Sequence, residues 1–199
     1  MGAADDIDWG PAEEAARWIR EGRLRDALAI LPSLGRAGVI AEDAVIDGDS
    51  RVVARTEQLL GDGDPGIAGR AAHLLGERAY RLGSAAEMER PLLEALRAAL
   101  KSDPDRVSPL AAALRECARV RGARDAAPEL VEIVRRNALG RLGELELMWA
   151  SEALFELGWG TDRIVDEVGS LGPELSNALR PKLADLERGM RAAEPHGER

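Results

Sequence analysis

The residues that first invite a chemical reading are "GDGDPG", Gly61 to Gly66. Gly61, Gly63 and Gly66 match Gly-x-Gly-x-x-Gly, the turn that lets backbone approach a dinucleotide pyrophosphate, and a helix-like segment follows. That chemistry needs a buried strand entering the turn. The preceding "SRVVARTEQLL" instead puts Val52, Val53, Thr56 and Leu60 on one face of a helix, and Asp62 and Asp64 would point negative charge at the phosphates. A calcium loop would need further oxygen ligands and a terminal Glu that the stretch lacks. The reading is a bend between helices, with no cofactor.

Nucleophilic chemistry is no better served. A nucleophile needs a base beside it, and His73 and Cys117 fall at non-equivalent positions of different segments. Cys117 reads as a small buried hydrophobe in a helix seam. Carboxylate pairs such as Asp62/Asp64 and Glu13/Glu14 are accounted for by turns and helix starts. One cysteine and two histidines, His73 and His196, make neither a disulfide nor a metal cluster. No catalytic and no metal-binding residue is assigned.

The chain has 199 residues, 45% of them hydrophobic, yet Phe and Tyr occur once each. Ala and Leu dominate, which favours helices over strands. The N-terminal "MGAADDIDWG" has no apolar core, Asp6 stands where a myristoylation site wants Ser or Thr, and no apolar run reaches membrane-spanning length. A soluble, cytoplasmic protein is expected. A net charge of −9 argues against a nucleic-acid surface. Only Lys101 and Lys182 are lysines, an arginine excess that a GC-rich bacterial genome would produce.

The elements that must position any site are helices. Apolar residues recur at spacings of three and four over about 11–21, 23–31, 36–47, 50–60, 66–82, 86–101, 105–121, 126–138, 141–157, 161–170 and 174–192. Asp64-Pro65 and Asp103-Pro104 read as helix starts, with Thr161 or Asp162 as a further cap. Gly22, Gly48, Gly83, Gly122, Gly158 and Gly172 stand where helices should stop. On 66–82, Ile67, Ala71, Leu75, Ala79 and Leu82 form the expected buried stripe.

An internal repeat runs through these segments. "EDAVIDG" (42–48), "ERAYRLG" (77–83), "ECARVRG" (116–122) and "EALFELG" (152–158) share Glu, five residues, then Gly, at intervals of 35, 39 and 36. The register also aligns Ala44, Ala79, Ala118 and Leu154. Between them, "PLLEALRAAL" (91–100) aligns with "PELVEIVRRNAL" (128–139), so the unit is two helices.

"LLGDGDPGIAGRAAHLLGERAYRLG" (59–83) resembles the HEAT repeat, whose first helix runs into an Asp-Pro turn and whose second opens on an aliphatic residue and closes on Leu-Gly. The resemblance covers about 36–172. Pro91 and Pro128 fall where that family kinks its first helix, while Ala68 and Ser108 stand where it usually carries the arginine of an Asp–Arg ladder. "EGRLRDALAILPSLG" (21–35) is similar to the middle of one tetratricopeptide repeat. The resemblance implies an all-α, right-handed α-α superhelix, an α-solenoid of about five helical pairs, whose second helices line the concave side. In that layout 1–35 and 173–193 are caps, 36–172 holds the repeats, and 194–199 is a frayed tail.

Carried through the register, the face opposite the buried stripe holds Glu42 and Val45, then Arg70, His73, Glu77 and Tyr80, then Ala112, Glu116 and Arg119, then Leu145, Met148, Glu152 and Phe155. A row of glutamates among apolar anchors suits a basic or amphipathic peptide or protein. The row reads equally as solvated helix surface, and Leu145, Met148 and Phe155 as packing for the C-terminal cap. A peptide-binding scaffold or adaptor is the expected function. The alternatives are a helical-repeat enzyme acting on a small molecule or nucleobase, an inhibitor of a basic nuclease or toxin, and a nucleic-acid binder needing Arg70, Arg81, Arg115 and Arg119 on one face. Partner identity and oligomeric state stay open.

Overall fold

The computed structural model describes residues 8–169 and 171–193. Residues 1–7 of the expected N-terminal cap, Ser170 and the expected tail 194–199 lie outside the described residues. The described chain is all-α, with eleven helices: α1 (Gly10–Glu21), α2 (Leu24–Ile30), α3 (Val39–Ile46), α4 (Ser50–Leu59), α5 (Pro65–Leu82), α6 (Ala85–Ser102), α7 (Val107–Arg119), α8 (Ala127–Ala138), α9 (Glu144–Glu156), α10 (Thr161–Val168) and α11 (Pro173–Ala193). The segments expected at 36–47, 105–121 and 126–138 open with single 3-10 turns before their α-helices begin. None of the helices is long and apolar enough to cross a membrane.

α4 pairs with α5, α6 with α7, α8 with α9 and α10 with α11, and the second members form a continuous row in which α5 packs on α7, α7 on α9 and α9 on α11; α3, whose main partner is α1, also packs on α5. The core between the two layers is built from Ala and Leu, with Ala71, Leu75, Ala79, Leu96, Leu114, Leu130 and Leu154 all buried. Small side chains let the helix axes close up. Gly76 is the extreme case, because a Cβ added there would lie 2.8 Å from Ala113 Cα. On α5, burial extends beyond the expected stripe to Ala68, Ala72 and Leu74, since α3 and α7 flank it on both sides. Leu82 leaves the stripe: at the last turn it is 49% exposed.

Helix ends are satisfied in ways the sequence only partly announces. Asp64 caps α5 by accepting from the backbone N–H groups of Gly66 and Ile67. Asp103 makes no such bond and pairs with Arg106 at 2.7 Å. Neither Thr161 nor Asp162 caps α10; Thr161 N–H and Oγ1 both donate to Glu187 of α11, so the cap comes from the next helix. Gly22, Gly83 and Gly158 are left-handed as expected, but at the α7–α8 turn the left-handed residues are Arg121 and Ala123. Gly122 serves close packing instead, a Cβ there falling 2.5 Å from Ala85 Cβ. Pro91 lies inside α6, whereas Pro128 sits in the first turn of α8, where its missing N–H is harmless.

Arginines from neighbouring helices supply donors that the helix C-termini lack. Arg78 donates to the carbonyls of Ile46 at the end of α3 and Gly48 just after it, Arg106 to those of Leu60 and Asp62 beyond α4, and Arg136 to that of Leu100 near the end of α6. Each answers orphan carbonyls with a cation where the helix dipole is negative. The "GDGDPG" bend is part of this scheme. Asp62 takes a two-pronged bond from Arg25 of α2, at 2.8 and 3.2 Å, and also accepts from Asp64 N–H. It joins three successive helical units.

Candidate functional site

The row α3, α5, α7, α9 determines which side chains meet on its outer face. On α5, His73 and Tyr80 are exposed, and Arg70 and Glu77 are half-buried. On α7, Glu116 and Arg119 stand one turn apart; on α9, Met148, Glu152 and Phe155 are half-buried and Leu145 is 59% exposed. Glu42 of α3 is half-buried at the other end of the row.

The glutamates are not equivalent. Glu116, only 14% exposed, accepts from Arg115 at 2.6 Å and from Arg119 at 2.9 Å. Glu152 lies 3.0 Å from Arg115 Nε, and Glu156 4.0 Å from Arg119. Glu42 and Glu77 make no ion pair among the described residues. The α3–α5 end therefore holds two carboxylates, Glu42 and Glu77, without an ion pair beside Arg70, and the α7–α9 end is mixed in sign. Burial pushes the Glu152 carboxyl above the ordinary range, against the pull of Arg115 and with Glu156 and Glu116 adding to the rise.

Tyr80 is the aromatic centre of the face, 40% exposed. The Arg119 guanidinium lies 4.2 Å from its ring centroid and donates to its hydroxyl at 3.3 Å. Tyr80, Arg119 and Phe155 occupy the same register position on successive helices. Phe155 packs against the core and shares a recess with Trp159, Glu187 and Met190, so α11 partly covers it. Trp149 carries Arg115 at 5.6 Å and Trp159 carries Arg163 at 3.8 Å, which makes both packing partners of arginine.

Three of the four arginines that a nucleic-acid face would need are ion-paired. Arg81 pairs with Asp43 at 2.6 Å, and Arg115 and Arg119 are neutralised by Glu116, Glu152 and Glu156. Cys117 is fully buried, and burial, then Glu89 and Glu116, push its thiol up to about 12. His73 is exposed on α5.

Two features of the site went unanticipated. The partnership of Arg115 with the glutamate row crosses between helices, and its signal was the arginine immediately before Glu116. The second is a notch of about 370 Å³ between α11 and the α7–α9 pair, lined by Arg115, Arg119, Glu152 and Glu156 and, on α11, by Asp185, Leu186, Gly189, Met190 and Ala193. No family model matches the chain, and no curated protein or solved structure is significantly similar to it.

Proposed function

We propose that the chain is a short α-helical repeat array of HEAT type, a right-handed superhelix, that binds a protein or peptide on the face of α3, α5, α7 and α9. The observation that carries this reading is the surface around Tyr80. An exposed aromatic ring, stiffened by Arg119, is flanked by the unpaired carboxylates of Glu77 and Glu42, with His73 and Met148 on the same face. Aromatic and arginine side chains of this kind anchor interfaces, and carboxylates at the rim select a basic partner.

The close approach of α5 to α7 at Gly76 supports the curvature this reading needs. The second helices crowd together, while about 670 Å³ of open groove separates α4 from α6 in the first layer. An array with one tight and one splayed layer bends toward the tight one, which makes the Tyr80 face concave. The paired state of Glu116 and Glu152 narrows the acidic region to the α3–α5 end, so the basic part of the partner belongs there.

The test is a peptide array probed with the full chain, comparing basic amphipathic sequences with charge-reversed versions. Preferential binding of the basic set, lost in Tyr80→Ala and Glu77→Lys, is expected. Binding that ignores both substitutions contradicts the reading.

A further inference from the structure

The second half of α11 lies on the proposed docking face without being packed into it. In the first half Leu179 and Leu183 are buried, Lys182 pairs with Glu144 of α9 at 2.6 Å, and Arg180 pairs with Asp162 of α10. None of the described residues after Leu183 is buried, and Leu186, Glu187 and Met190 are only half-buried. Met190 borders two open recesses, one of about 370 Å³ shared with Arg119 and Glu152 and one of about 400 Å³ shared with Phe155 and Trp159. Among the described residues the segment has one polar tie outside α11: Glu187 accepts from Thr161 N–H at 3.3 Å and from Thr161 Oγ1 at 2.7 Å. Arg188 and Arg191 pair within α11, with Asp185 and Glu187.

Resting on the docking reading above, we propose that residues 184–193 are a displaceable strap, a helical segment of this chain that occupies the α9 end of the face and gives way to the apolar part of the partner. Phe155 ties the strap to that site. It holds on α9 the register position that Tyr80 holds on α5 and Arg119 on α7, and α11 is what covers it. Leu186 and Met190, one turn apart, set on the face the apolar stripe that a docked amphipathic helix would set there. The strap's helix is weak by itself. A helical segment this short is marginal in water without a packed face, and Gly189 lowers its helix propensity further. A face closed by such a strap binds with an affinity reduced in proportion to the fraction of molecules in which it is open. The basic part of the partner meets Glu42 and Glu77 at the far end of the row, which the strap leaves free.

The probe is an acetylated, amidated peptide made of two copies of Leu-Lys-Lys-Leu-Leu-Lys-Leu, added to the full chain and followed by fluorescence anisotropy and by amide hydrogen exchange. Leu186→Gln with Met190→Gln removes the apolar hold on the strap and should tighten peptide binding about fivefold or more. Gly189→Ala puts a methyl group into open space and strengthens the strap's helix, so it should weaken binding about threefold. In the wild-type chain the peptide should lower the exchange protection of 184–193 and raise that of α9 around Phe155. Weaker or unchanged binding by the Leu186/Met190 double variant, or added protection of 184–193 on binding, overturns the strap and makes α11 a fixed wall of the site. Either result, with binding that still depends on Tyr80, removes the strap and leaves the docking face. No binding by any of these chains, or binding that Tyr80→Ala leaves intact, fails the docking reading and the strap with it.

Discussion

Arg119 lies across two helices: from α7 its guanidinium covers the ring of Tyr80 on α5 at 4.2 Å while Nη1 holds Glu116 at 2.9 Å. This contact fixes the orientation of the most exposed aromatic residue on the candidate face. Tyr80→Phe keeps the ring under the cation and loses only the 3.3 Å bond to the hydroxyl. It should therefore unfold in urea within about 0.5 kcal/mol of wild type, while Tyr80→Ala loses about 1 kcal/mol. Equal losses in the two variants would mean that the hydroxyl, not the ring, matters.

Gly76 sets the spacing of α5 and α7. Gly76→Val places a branched side chain where a Cβ alone comes within 2.8 Å of Ala113 Cα. Overpacking of this kind destabilises by about 1–3 kcal/mol, and Gly76→Val should fall at the upper end because the obstacle is backbone. The urea midpoint measures it, and an unchanged midpoint would show that the two helices separate freely.

Stability should respond to pH in two opposite ways. The Arg25 hydrogen bond lowers Asp62 and the Thr161 hydroxyl lowers Glu187, so their contributions are present above the ordinary carboxylate range and are lost as pH falls through the lowered values. Glu152 is raised by burial, so its protonated form is favoured in the fold. Its contribution is present below the ordinary range and is lost as pH rises through the raised value. Urea midpoints between about pH 3 and 8 should decline at the acid end, and Glu152→Gln should flatten the decline on the side above about pH 4. A steeper alkaline-side slope in Glu152→Gln would contradict the assignment.

Cys117, buried with its thiol pushed up to about 12, should react with iodoacetamide only through opening of the fold. Alkylation at pH 8 should run slower than in the urea-unfolded chain by a factor of about 1,000 or more. A rate near that of the unfolded chain would place the α7 seam in a locally open state.

The helices were legible because each carries its own periodicity and punctuation: the stripe of Ile67, Ala71, Leu75 and Ala79, the Asp64 cap and the left-handed Gly83 are local signals. What depends on a neighbouring helix was not. Gly122 looked like a helix stop, yet its role is set by Ala85, and Thr161 looked like a cap until Glu187 arrived from α11. The glutamate row was found by register, but its charge was misjudged at Glu116 and Glu152. Register positions a side chain on a face and says nothing of a long arginine on the next helix reaching across to it. Arg119 was placed beside Glu116 on that face, but Arg115 was visible only as a member of a basic set, separate from the acids it pairs with.

The second-helix face, and not the outer grooves of the first layer, is proposed to engage the partner. The measurement is capture from a host extract by two double variants: Tyr80→Ala with Glu77→Lys on the face, and Glu57→Lys with Glu94→Lys on the groove between α4 and α6. The face variant should lose about tenfold or more of the captured protein, and the groove variant should retain it. Loss with the groove variant and retention with the face variant would contradict it.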